Sequence, residues 1–200
     1  DGDEATPVSE EVEEPVVRLK SGQTFRFLDG EIFLYRKLAI ESDGVTEKVV
    51  EVAYEAAGSR IYMLHEGPDY RVYGSSILPL HLFAYDPVRG ETIDYGKASE
   101  SGGEAYSMAN FGRRMFISSY PAARISVYDP DAEYVYGLDP GSNPLDLGRI
   151  DDISYRPRAT LTGPLGRVWT ASLPDYGLWG GPLAWLDPES GERGSYRNVA

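Results

Sequence analysis

Short alternations of apolar and polar residues run through the chain from about residue 22 onward. No stretch shows the 3.6-residue spacing of a helix. Phe25 and Phe27 alternate with polar neighbours, and Asp29-Gly30 is a strong two-residue hairpin signal. Ile32 to Ile40 reads as the returning strand and 41–44 as a turn. Strands are then expected at 49–54, 61–64, 82–85 and 91–95. A second set follows at 104–108, 115–118, 125–128 and 133–136, and a third at 159–162, 168–171, 183–186 and 194–197. The best helical candidate, 47–57, carries Val49, Val50, Val52 and Tyr54, which favour strands.

A repeat underlies these sets. Arg60-Ile61-Tyr62, Arg114-Met115-Phe116 and Arg167-Val168-Trp169 recur at spacings of 54 and 53 residues, each followed by an Asp-Pro pair at 86–87, 129–130 and 187–188. Asp bonds the backbone ahead of it, Pro sets φ, and a Gly three residues after the Pro accepts positive φ. The Asp86 and Asp187 turns have that Gly, at Gly90 and Gly191. The Asp129 turn lacks it and is expected to be built differently. Four short antiparallel strands per copy is the make-up of a β-propeller blade. The expected fold is all-β, with about three full four-stranded blades plus a partial one. The expected divisions are an acidic tail or linker at 1–20, a hairpin of a partial blade at 21–46, and blades at about 47–99, 100–152 and 153–200.

The strings Gly166-Arg167-Val168-Trp169-Thr170 and Leu186-Asp187-Pro188-Glu189-Ser190-Gly191-Glu192 resemble the blade repeat of bacterial propellers of the streptogramin-lyase-like, SMP-30-like and NHL or Kelch-like groups. The resemblance implies a blade and no one function, because such folds host lyases, lactonases, sensors and binding platforms. Streptogramin-lyase-like enzymes use a His base and a divalent metal on the propeller face. The third repeat here has no His, so no catalytic residue is carried over.

The net charge is −13, which argues against a nucleic-acid partner. Seven acidic and no basic residues lie within the first fourteen, which leaves the body near −6. Cysteine is absent, so disulfides and thiolate chemistry are excluded while the compartment stays open, an extracytoplasmic bacterial one among the candidates. No apolar run is long enough for a membrane helix. The sequence does not open on Met, and a ring of six or seven such copies needs roughly 300 residues or more. The expectation is an incomplete propeller whose remaining blades lie elsewhere in a longer chain, or which self-associates.

Insert length falls at 65–80, 119–124 and 172–182, read as loops joining the second and third strands on one face. Function on a repeat scaffold sits in such insertions. The candidate ligand-binding residues are His65, Glu66, Asp69, Tyr70 and Arg71, with Tyr73 beside them, from the first insert. Tyr120 and Arg124 come from the second, and Asp175, Tyr176 and Trp179 from the third. Flat rings beside carboxylates and Arg suit a polar ligand, a carbohydrate above all. The alternative is a lyase- or lactonase-type enzyme with His65, His81, Glu66 and Tyr120 as acid–base groups. Gly177, Gly180 and Gly181 lack the strand-to-helix setting of a phosphate loop. Glu66, Asp69 and Asp175 lack the spacing of a calcium loop. No cofactor and no metal are predicted.

Overall fold

The computed structural model describes residues 17–18, 20–31, 35–53 and 60–199. The acidic tail, the turn at 56–59 and Tyr54 lie outside the described residues. The chain forms two units, 1–55 and 56–200. Among the described residues the regular structure is all strand, apart from one 3₁₀ turn at Pro164–Gly166.

Unit 1 is one antiparallel sheet in the order β1 (Val17–Arg18), β2 (Thr24–Glu31), β3 (Tyr35–Ser42), β4 (Val45–Ala53). Asp29-Gly30 is not its turn. Both residues pair within β2, beside a register shift between Phe27 and Asp29. The tight hairpin is Asp43-Gly44, with φ of 51° and 78°, the positive pair that a two-residue turn demands. So short a turn sends the next strand straight back onto β3, in the register Ser42↔Val45. The strand expected to open the first full repeat therefore completes this sheet instead.

Unit 2 holds three antiparallel four-stranded sheets, each in sequence order. Sheet 2 is β5 (Ile61–Glu66), β6 (Val72–Ser76), β7 (Leu82–Asp86) and β8 (Glu91–Gly96). Sheet 3 is β9 (Glu104–Phe111), β10 (Arg114–Tyr120), β11 (Arg124–Tyr128) and β12 (Leu145–Arg149). Sheet 4 is β13 (Ser154–Gly163), β14 (Arg167–Pro174), β15 (Leu183–Leu186) and β16 (Arg193–Tyr196).

Two expected elements move. A whole strand, β6, lies inside the stretch read as the first insert. Gly74 sits in it because a Cβ there would lie 2.5 Å from the Phe83 ring and 2.7 Å from the Met63 carbonyl oxygen. The true counterpart of Arg114-Met115-Phe116 is thus Arg71-Val72-Tyr73, at the head of a second strand, whereas Arg60-Ile61-Tyr62 heads a first strand. In sheet 3 the fourth strand is Leu145–Arg149, not 133–136. The latter makes only the isolated bridge Val135↔Asn143. Asn143 holds this excursion: its amide donates to the carbonyls of Asp129, Ala132 and Glu133, and its oxygen accepts from the Asp129 N–H.

The Asp turns follow the sequence. Asp86 accepts from the N–H groups of Val88 and Arg89 at 2.9 and 3.0 Å, and Asp187 from Glu189 and Ser190 at the same distances. Gly90 and Gly191 take positive φ. Asp129 accepts from Asp131 at 2.9 Å, without a Gly to close the turn.

Each sheet packs on the next through alternate residues of its strands. Tyr73, Leu82 and Ala84 of sheet 2 meet Met115, Ile117 and Tyr128 of sheet 3. Phe116 and Ile125 of sheet 3 meet Val168, Ala184 and Leu186 of sheet 4. A hydroxyl cluster joins the second interface. Thr160 Oγ1 lies 2.7 Å from Ser107 Oγ, 2.7 Å from Ser118 Oγ and 3.2 Å from Thr170 Oγ1. Inter-sheet contact is densest along the first strands, β5 with β9 and β9 with β13. The opposite face of sheet 4 carries Leu161, Trp169, Leu173, Leu183, Trp185 and Tyr196, and within unit 2 no further sheet covers it.

Candidate ligand-binding face

Unit 2 has two ends. At the turn end lie the links between first and second strands, Gly67–Arg71, Gly112-Arg113 and Pro164–Gly166, together with the Asp turns. At the loop end lie 77–81, 121–123 and 175–182, together with the connections between sheets. Cross-sheet bonds fix both ends. Asn110 joins His65 and Glu66 at the turn end, whereas Leu78 N–H donates to Gly103 O and Ala123 N–H to Tyr155 O at the loop end.

This divides the ten predicted residues. His65, Glu66, Asp69, Tyr70 and Arg71 stand at the turn end, because β6 follows them directly. Tyr120, Arg124, Asp175, Tyr176 and Trp179 stand at the loop end. They do not share one face. The turn-end residues also satisfy one another: Tyr73 donates to Asp69 at 2.9 Å, and Arg71 lies 3.4 Å from Asp69 and 3.6 Å from Asp86. Asp69, Tyr70 and Arg71 line a shallow cleft of about 350 Å³ with Pro87, Arg89 and Pro130. The Tyr73 hydroxyl is held far above its usual range by burial and by the Asp69 charge.

The loop end has a different chemistry. Five tyrosines form a continuous series across the three sheets. Ring centroids are 4.9 Å apart for Tyr62 and Tyr106, 5.8 Å for Tyr106 and Tyr120, 5.5 Å for Tyr120 and Tyr155, and 5.2 Å for Tyr155 and Tyr176. The first strands supply Tyr62, Tyr106 and Tyr155, and strand alternation turns them to this surface. Arg156 lies over the Tyr120 ring at 5.1 Å and the Tyr176 ring at 5.6 Å, and donates to the Tyr176 hydroxyl at 2.6 Å. Arg158 lies 5.5 Å over Tyr106. Glu104, 8% exposed, sits beside them. Burial raises its carboxyl above the usual range, against the pull of Arg156, a Tyr106 hydrogen bond and Arg60. Burial, then Tyr62, pushes the Tyr106 hydroxyl up to about 12. The Tyr106 hydroxyl therefore stays protonated and able to donate at neutral pH.

Two predicted loop-end residues serve the scaffold. Arg124 Nε lies 3.0 Å from the fully buried Asp146, which also accepts from Ser99, the Glu100 N–H and the Gly148 N–H. Asp175 accepts from the Tyr176 N–H and lies 3.7 Å from Arg149. Trp179 is 95% exposed. Neither histidine joins the tyrosines: His65 bonds Asn110 at 3.0 Å, and His81 bonds Asp94 at 3.1 Å on the outer strands. Among the described residues no three His, Asp or Glu side chains converge as a metal site.

Sequence reasoning missed Tyr62, Glu104, Tyr106, Tyr155, Arg156 and Arg158. A signal was present, since Arg60-Ile61-Tyr62 and Glu104-Ala105-Tyr106 each place a charge two residues before a Tyr at the head of a first strand.

Four-stranded antiparallel sheets packed face to face, with first strands gathered together, define a β-propeller protein. No protein-family model matches the sequence, and no curated protein matches it. Solved structures do. A chain of the nidogen/laminin complex is 16% identical with a TM-score of 0.51, over 89% of this chain and 63% of that one. Virginiamycin B lyase from Staphylococcus aureus is 12% identical with a TM-score of 0.50, over 92% of this chain and 55% of that one. This chain thus spans less than two thirds of either, and at such identity the likeness is one of fold.

Proposed function

We propose that the loop end of unit 2 is a binding platform for a polar ligand, a carbohydrate above all. The observation that supports this reading is the series Tyr62, Tyr106, Tyr120, Tyr155 and Tyr176 with Arg156 and Arg158 laid on it. Rings half-open to solvent cover the apolar faces of a sugar, and hydroxyl and guanidinium edges take its hydroxyl groups. The enzymatic alternative asks for a His within hydrogen-bonding reach of a carboxylate or Tyr at this end. The geometry favours binding, because His65 faces the turn end and His81 pairs with an outer-strand Asp.

A glycan array followed by calorimetry tests the proposal. Tyr106→Ala and Tyr155→Ala should each weaken a detected ligand by about tenfold or more, the scale of one lost aromatic contact. If neither changes the affinity of any ligand bound by the parent chain, this face is not the site.

A further inference from the structure

We infer that the ligand of the tyrosine face is an acidic carbohydrate, its carboxylates held by Arg60, Arg156 and Arg158. This rests on the binding-platform reading above and gives it a ligand class. The pattern of charge pairing carries it. Acidic residues outnumber basic ones by 32 to 19 in this chain, so a guanidinium finds a carboxylate easily. Arg71, Arg113, Arg114, Arg124 and Arg149 each stand within 4 Å of one. Among the described residues Arg60, Arg156 and Arg158 form no such ion pair, and all three gather at the loop end. Arg156 and Arg60 both act on Glu104, and Arg158 covers Tyr106, which bonds Glu104 in turn.

The local balance is cationic. Among the described residues Glu104 is the one carboxylate set among these arginines, and Asp175, at the rim, already faces Arg149. Arg158, stacked on Tyr106, keeps its N–H edge for a carboxylate, which a guanidinium takes as a two-pronged pair, and Arg156 keeps the donors it does not give to Tyr176. A neutral sugar offers these donors only hydroxyl groups, without the charge of a carboxylate. A uronate chain would offer a ring face to each Tyr and a carboxylate to the Arg beside it. The rings follow one another at 4.9, 5.8 and 5.5 Å, so successive units of one chain can meet successive rings.

Calorimetry on the full chain with tetragalacturonate and its fully methyl-esterified form separates charge from ring contact, because the two share a backbone. The free acid should bind at least about tenfold more tightly. Arg158→Gln and Arg156→Gln should each weaken the acid more than the ester and so erase much of that preference. Arg89→Gln at the turn end should behave as the parent. Circular dichroism confirms folding, and Arg158, being exposed, gives the variant that does not depend on the Tyr176 bond. Equal binding of acid and ester overturns the inference and leaves the platform standing. So does binding of cellotetraose or maltotetraose without either galacturonate. Binding of none of these overturns both.

Discussion

Phe116 and Trp169 hold the same position in successive sheets, each third in the motif that heads the second strand. Phe116 is 1% exposed beneath sheet 4, while Trp169 stacks on Tyr196 at 6.4 Å on a face that no sheet of unit 2 covers. The pairings Phe116↔Val127 and Trp169↔Trp185 are equivalent, so sheet 4 presents the same kind of surface that sheets 2 and 3 bury.

That difference predicts opposite mutational costs. Phe116→Ala should destabilise the chain by about 3–5 kcal/mol in chemical denaturation, as large-to-small changes in a closed core do. Trp169→Ser with Trp185→Ser should cost far less, and should reduce both apolar-dye binding and self-association in light scattering. A chain that is already monomeric and dye-silent at high concentration would contradict the second expectation.

Asp146 ties the connection before β9 to β11 and β12. Asp146→Ala strands Arg124 and the Glu100 N–H, and is expected to cost about 3 kcal/mol or more. Asp146→Asn should cost less, since its amide oxygen still accepts. Denaturation midpoints for the pair check the order.

Gly74→Ala should be among the most damaging single-methyl additions. The Cβ meets backbone as well as the Phe83 ring, and overpacking of this kind costs about 1–3 kcal/mol. Gly90→Ala, with open space around it, should cost about 1 kcal/mol from its positive φ alone.

The pH dependence has two components of opposite sign. Backbone donors, foremost Arg89 N–H and Ser190 N–H, hold Asp86 and Asp187 below their usual carboxyl range. Their stabilisation is present above the unfolded value of 3.8 and is lost as pH falls through the lower folded values. Burial raises Glu104, so its ionised form opposes folding above 4.5 and the penalty fades on acidification. Melting temperature against pH should therefore drop less steeply in acid for Asp86→Asn with Asp187→Asn. Glu104→Gln should melt higher than the parent at pH 7.

The blade composition was legible because the Asp-Pro turns and β-branched strands repeat visibly. The phase of the first copy was not. Gly74, Ser75 and Ser76 give β6 little apolar signature, since its burial comes from Tyr73 and from close backbone approach. Losing that strand shifted Asp69, Tyr70 and Arg71 to the wrong end. At the candidate site Tyr120 and Tyr176 were legible as loop aromatics. Tyr106 and Arg158 were not, because a residue in a regular strand gives no sign in sequence that its neighbours belong to other sheets.

The Thr160 hydroxyl has one proton to give and two lone pairs to offer, and three hydroxyls surround it. Its valence is filled, and the direction of each bond constrains the others. Greasy surfaces alone let two sheets slide along one another at little cost. A saturated three-way junction does not, because a displacement of one residue would leave several buried hydroxyls without partners. Thr160 therefore acts as a vernier, setting the longitudinal offset between sheets 3 and 4 and, with it, the spacing at which Tyr120 meets Tyr155.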